Sequence, residues 1–235
     1  MYTNLTPRHK EAVIELGFGA VLEFNIREFP SYLAYRVLKS LNLARCEIPL
    51  SGGERLTLDE EDVHLTLGFP RGRIQIARKE EYQSNFEFND MVAARCKKSW
   101  YKLNATDVAN MIKDETDGGP VFKRLFMFLL ENALMETPSD GNCKPKILHF
   151  IDDVEAISDM NWCGYALSVL EVTYPGWARG ETAYFTGPIH FLLVCNSVSA
   201  LYVRVHALLF AALMNPICCI IIAFTVHCFC VVLRY

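Results

Sequence analysis

The chain has 235 residues, of which 51% are apolar, and a formal net charge of −4, so it is long enough for one good-sized domain. An acidic balance argues against a protein whose main task is to grip a nucleic-acid backbone, because that task favours a basic face. Nine cysteines without a CxxC pair give poor support for zinc.

The opening residues, MYTNLTPRHKEAV, contain no apolar signal core, so the N-terminus is expected to stay in a reducing compartment with its thiols free. Thr6-Pro7 reads as a helix cap followed by proline at the first helical position, and Gly17 as the stop. A second helix is predicted from Pro30 to Leu41, with Leu33, Ala34, Val37, Leu38 and Leu41 on one face. Two short alternating runs around Gly52-Gly53 predict a β-hairpin between Cys46 and Leu58. Thr57 or Asp59 then caps a third helix, whose acids Asp59 to Asp62 suit the positive end of the helix dipole. Glu60 and His64 are four residues apart, a metal-ligand spacing that the dipole reading outweighs. Gly68 and Pro70 end this helix, and GRIQI predicts a short strand.

Arg95, Lys97, Lys98 and Lys102 surround Trp100 and Tyr101. Basic residues interleaved with aromatics can bind single-stranded nucleic acid. In an acidic body the same pattern reads first as a solvated helix face. Asn104 or Thr106 caps a helix that turns Val108, Met111 and Ile112 inward, and Gly118-Gly119-Pro120 breaks the chain. VFKRLFMFLLENALM is apolar on most sides but too short to span a bilayer, so it predicts the central buried helix. After the loop PSDGNCKP, two helices are predicted near Ile151 to Asp159 and Asn161 to Val172, the second with an apolar stripe of Trp162, Tyr165, Ala166, Val169 and Leu170.

From Ala207 to Leu233 there is no Asp, Glu, Lys or Arg, and only Asn215, Thr225 and His227 are clearly polar. A helix of about 20 apolar residues crosses a bilayer core. The run therefore predicts a single C-terminal membrane-spanning helix, with the body on the cytosolic side. Cys218, Cys219, Cys228 and Cys230 in this run read as apolar filler, although Cys228 and Cys230 could be palmitoylated near a membrane face. The fold class expected is mainly α: an irregular helical body over residues 1–200 with a small hairpin, followed by the hydrophobic segment at 207–233.

Four segments together carry a resemblance: LTPRHKEAVIELGFGAVLEF, LTLDEEDVHLTLGFPRG, MNWCGYALSVL and YFTGPIHFLL. Their residues Thr57, Glu61, Asp62, Val63, Leu67, Gly68, Phe69, Pro70 and Gly72, then Asn161, Trp162, Cys163, Tyr165 and Leu167, then Tyr184, Phe185, Gly187, Pro188, Phe191 and Leu192 follow one ordered pattern. The chain resembles the plant mobile domain, also called the aminotransferase-like plant domain. This is the transposon-derived helical region that often precedes a SUMO-type cysteine protease. The resemblance spans about residues 5 to 193. It implies a helical domain without established chemistry, and no lysine sits in a recognisable pyridoxal-phosphate setting. After Phe191 the chain departs from that family and turns apolar.

Cys163-Gly164 echoes the nucleophile segment of such proteases, but a thiolate needs a base and usually a third group to orient it. His149 lies only fourteen residues upstream without a following Trp, no Gln lies between Gln83 and Cys163, and His190 is downstream in the wrong order. No catalytic, cofactor-binding or metal-ligating residue is therefore assigned. The expected function is a non-enzymatic interaction domain with an unnamed protein partner and a membrane segment at Ala207–Leu233. The alternative expectation is a truncated fragment of a protease-associated protein whose apolar tail is not part of the natural product. In that case the body would reside in the nucleus or cytoplasm.

Overall fold

The computed structural model describes residues 5–24, 30–50, 53–77 and 86–196. Among them the chain is mainly helical, with one two-stranded antiparallel hairpin. In chain order the regular elements are α1 (Pro7–Glu15), α2 (Ser31–Ser40), β1 (Glu47–Pro49), β2 (Arg55–Thr57), α3 (Glu60–Leu67), α4 (Phe86–Cys96), α5 (Ala105–Asp114), α6 (Pro120–Leu130) and α7 (Trp162–Ala178). A further helical stretch, α8, covers 189–196.

The caps follow from local chemistry. The first backbone N–H groups of a helix have no partner within it. Asp59 Oδ1 accepts from the Asp62 N–H at 3.0 Å while Asp62 Oδ2 accepts from the Asp59 N–H at 3.0 Å. Asn104 and Asp107 make the same reciprocal pair at the start of α5, at 2.9 and 3.1 Å. At α1 the Thr6 hydroxyl accepts from the His9 N–H, and His9 Nδ1 accepts in return. Each reciprocal pair satisfies two orphan donors.

The apolar run predicted to be central is α6. Phe122, Leu125, Phe126, Met127, Phe128, Leu129 and Leu130 are all buried, and the helix packs on α5 and α1. A second pair, α3 against α7, forms the other half of the core. Phe18 joins the halves: its ring lies 6.4 Å from Phe126 of α6, 5.4 Å from Phe69 after α3 and 5.7 Å from Trp162 of α7, each edge to face.

The hairpin is where the sequence places it, with Ile48 opposite Leu56. Three other expectations are corrected. GRIQI is not a strand. It makes only two isolated bridges, Arg71 with Asn161 and Ile74 with Met160, because the segment it meets turns into α7 one residue later. The helix expected from Ile151 is a tighter 3₁₀ turn, Val154–Asp159, started by Asp153. The helix expected to stop at Val172 runs on to Ala178 through Pro175. Pro175 denies a hydrogen bond to the Glu171 carbonyl, and that loss falls on an exposed residue where water can replace it. Among the described residues, no helix is long and apolar enough to cross a membrane. The membrane helix expected over Ala207–Leu233 lies outside the described residues, as do Gly52 of the hairpin turn and part of the linking stretch before α4.

Candidate functional site

The motif residues of LGFPRG and NWC, some ninety positions apart in the chain, meet in one backbone junction. The Pro70 carbonyl accepts from both the Trp162 and Cys163 N–H groups, at 3.0 and 3.3 Å, and so caps the start of α7 from outside. The Gly72 N–H donates to the Met160 carbonyl, the Ile74 N–H to the Asp159 carbonyl, and the Asn161 N–H back to the Ile74 carbonyl. Side chains complete the seam. Asn161 Oδ1 accepts from the Gly164 N–H, while its Nδ2 donates to Glu60 Oε1 at 2.9 Å and Gln75 Oε1 at 3.2 Å. The Trp162 indole donates to the Ile157 carbonyl at 2.7 Å, and Arg73 grips Asp159 with two bonds. Arg71 pairs with Glu61. Gly187 of the third motif lies against Thr173 and Phe185, with Phe191 and Leu192 fully buried behind it.

This arrangement spends the candidate chemistry on structure. Glu60 serves Asn161, and His64 Nδ1 lies 2.7 Å from the Phe69 carbonyl, so the pair at metal spacing is occupied by other partners. Among the described residues no three His, Cys, Asp or Glu side chains gather where a metal ion could sit. The Cys163 thiol is buried and donates to the Phe69 carbonyl at 3.2 Å. Burial, reinforced by the nearby Glu60 charge, pushes it up to about 12. Cys195 is likewise pushed up to about 12 and Cys143 to about 11, in both cases chiefly by burial. Because the thiolate is the reactive form, Cys163 in the native protein should react with iodoacetamide at neutral pH at least about 100-fold more slowly than in urea. Peptide mass mapping of alkylated protein measures the ratio. Rapid labelling of native Cys163 by a ubiquitin-like-protein vinyl-sulfone probe would instead mark it as a nucleophile.

The basic cluster is dispersed rather than set along one helix face. Arg95 lies in the last turn of α4, Lys97 turns the chain with φ of 52°, and Lys102 lies in a 3₁₀ turn. Arg95 is paired with Glu115, and Lys98 grips both oxygens of Asp107 at 2.8 Å. The nucleic-acid reading loses two of its four cations to these acids, and Lys102 leans on the Tyr101 ring.

Two features were not singled out in the sequence. The first is Glu131, which begins a π-helical turn, Glu131–Met135, directly after α6. Its side chain is buried, taking bonds from the Tyr165 hydroxyl at 2.6 Å and the Ile147 N–H at 3.1 Å. Desolvation pushes it up to about 7 in spite of those donors. Next to it, Asn132 accepts from the Lys144 N–H and donates to the Phe128 and Lys144 carbonyls. The wider turn thus aims two polar side chains inward, and they hold the 136–147 loop to the core.

The second is a surface. On α2, Tyr32, Tyr35, Arg36 and Lys39 are exposed, opposite the buried Ala34, Val37 and Leu38. Arg36 lies over the Tyr32 ring at 5.9 Å, and Lys39 over both Tyr35 at 5.7 Å and Trp177 at 5.4 Å. Trp177 meets Tyr35 edge-on at 6.2 Å and Phe185 at 6.1 Å, and the Tyr174 hydroxyl ties α7 to the Leu38 and Leu41 carbonyls. Cation–π contacts at exposed sites contribute about 0.5–1 kcal/mol each. Among the described residues neither Arg36 nor Lys39 has an acidic partner. In the sequence these four residues stand at i, i+3, i+4 and i+7, the spacing that sets side chains beside one another on a helix.

The family model for a domain of unknown function, DUF8566, matches residues 1–193. No curated protein and no solved structure matches the chain.

Proposed function

The chain belongs to the DUF8566 family, a domain of unknown function matched across residues 1–193, and we propose that it is a non-enzymatic helical interaction domain held at a membrane by its C-terminal segment. One observation carries the interaction half: the motif residues Phe69, Pro70, Gly72, Asn161, Trp162 and Cys163 are committed to the junction and the core, while α2 presents a row of aromatic and cationic side chains to solvent. Catalysis concentrates groups with perturbed ionisation in a cleft around a reacting atom. Here the groups that burial raises furthest are three thiols and one carboxyl already bonded to Tyr165 and Ile147. The resemblance to the plant mobile domain supports an origin in a mobile element.

The membrane half rests on the charge-free run Ala207–Leu233. Ile217, Ile220, Ile221 and Ile222 would together favour insertion by about 1–2 kcal/mol, at roughly 0.3–0.6 kcal/mol each, offsetting much of the local cost of Asn215. Pro216 is compatible with a membrane helix, where proline is more frequent than in soluble helices. The full chain expressed in cells should sediment with membranes and resist carbonate extraction, and deletion of 207–233 should send the body to the soluble fraction. Release of the full chain by carbonate would remove the anchor from this reading.

A further inference from the structure

We infer that the outer face of α2, Tyr32, Tyr35, Arg36 and Lys39, together with Trp177 of α7, is a docking surface for anionic lipid headgroups. The inference rests on the membrane anchor proposed above. Three observations bear on it.

The first is chemical. Arg36 and Lys39 have no acidic partner among the described residues, a condition they share with cations such as Lys10 and Lys113, but they are set against exposed aromatic rings at 5.4–5.9 Å on one face. The rings that flank them are Tyr and Trp, with an apolar body and a polar edge. Tyr and Trp alongside Lys and Arg is the composition that collects at the boundary between headgroups and water.

The second is geometric. The four α2 residues span about 10 Å along one helix face at 1.5 Å per residue. Lys39 is held between Tyr35 and Trp177, at 5.7 and 5.4 Å. A long side chain already held over aromatic rings loses less freedom on binding than one free in solution.

The third is the tether. Residues 197–206 join α8 to the charge-free run that starts at Ala207. Ten residues reach at most about 35 Å when extended, which bounds how far the body can stand from a bilayer that holds the charge-free run. Tethering makes the contact intramolecular, with effective concentrations in the millimolar range. Two cations are too few to hold a nucleic-acid strand from free solution, where affinity grows with each phosphate neutralised. They suffice for a surface to which the body is already tied.

The test uses the full chain inserted from outside into vesicles of phosphatidylcholine alone, or with about 30% phosphatidylserine. A water-soluble N-hydroxysuccinimide ester acylates exposed lysines, and Lys10 and Lys113, both exposed, serve as references. Lys39 should be acylated about fivefold or more slowly than Lys113 on the phosphatidylserine vesicles. The protection should be absent on phosphatidylcholine and lost at high salt, where screening shortens to a few ångströms. Arg36→Glu, an exposed change that should leave the helical circular dichroism intact, should abolish the protection. Equal rates for Lys39 and Lys113 on phosphatidylserine vesicles overturn the proposal. So does equal protection on both vesicle types, or protection by single-stranded RNA and not by the anionic vesicles. Carbonate release with Lys39 protection intact supports the face and removes the anchor. A carbonate-resistant chain with Lys39 unprotected overturns the face and keeps the anchor.

Discussion

Gly72→Ala should abolish or severely weaken folding of the body. A methyl group at this position would lie 2.0 Å from the Asp159 carbonyl carbon, 2.1 Å from its oxygen and 2.5 Å from the Met160 nitrogen. All three are backbone atoms, so no side-chain rotation relieves the clash. Either the Gly72-to-Met160 hydrogen bond breaks or the start of α7 moves, and with it the Trp162 indole that fills the centre of the core. Overpacking against flexible neighbours costs about 1–3 kcal/mol. Against two fixed segments the cost should reach about 4 kcal/mol or more, a large part of the stability of a domain this size. Gly176→Ala is the matched control. Its nearest neighbour would be 3.7 Å away, and it lies inside α7, where alanine is the better helix former by up to about 1 kcal/mol. Urea titration followed by far-ultraviolet circular dichroism should show Gly72→Ala with a lost or strongly lowered midpoint and Gly176→Ala at or above the parent. A parental midpoint for Gly72→Ala would mean that the two segments do not approach this closely.

The second large effect is a pH dependence from Glu131. Unfolded, its carboxyl titrates near the ordinary glutamate value of 4.5. Folded, burial raises it to about 7. Between those values the native state holds a proton that the unfolded chain has released. The stabilisation is therefore complete below about pH 4.5 and is lost as the pH rises through about 7, a fall on the order of 3 kcal/mol. Glu131→Gln cannot ionise, and its single amide oxygen can still accept from the Ile147 N–H while its amide NH2 donates to the Tyr165 hydroxyl oxygen, so its stability should be flatter across that window. His190, which burial holds below its usual range, runs the other way and gains stability as the pH rises. The difference between parent and Glu131→Gln removes that contribution and isolates the carboxyl. Tyr165→Phe, which deletes a donor that favours the charged form, should move the fall to higher pH. Equal pH profiles for parent and Glu131→Gln would mean that Glu131 ionises as freely in the native state as in the unfolded one.

Where an element depends on its own residues, the sequence was a good guide. Thr6 caps the helix it was expected to cap, and of the paired candidates Thr57 or Asp59 and Asn104 or Thr106 the caps are Asp59 and Asn104, with their partners only three residues away. Gly68 ends α3 at φ of 64°, a backbone conformation that glycine adopts without strain. The buried faces of α2, α5 and α6 follow from helical spacing alone. What stayed hidden depends on residues far along the chain. GRIQI has the alternation of a strand, but a strand needs a partner with the same extended run, and Met160-Asn161 offers only two such residues before α7 begins. Pro175 should halt a helix on local grounds, yet Tyr174 and Trp177 on either side of it are packed against the core and α2. Arg95 and Lys98 looked like a free basic patch because their acids, Glu115 and Asp107, belong to a different helix and its end. Glu131 is one acid in the apolar run VFKRLFMFLLENALM, with nothing local to mark it as bonded. Its two donors lie sixteen and thirty-four residues downstream.

The seam between residues 70–75 and 159–163 also sets a schedule for biosynthesis. Arg73 and Asp159 are 86 residues apart, so when the first side of the seam leaves the ribosome its counterpart does not yet exist. At about 5–20 residues per second, the wait is roughly 4 to 17 seconds. Throughout it the Pro70 carbonyl lacks its donors from α7, and Phe69 and Phe18 have no Trp162 to pack against. A nascent chain of this protein therefore offers a hydrophobic surface beside an unpaired stretch of backbone for many seconds, the kind of target that ribosome-associated chaperones hold.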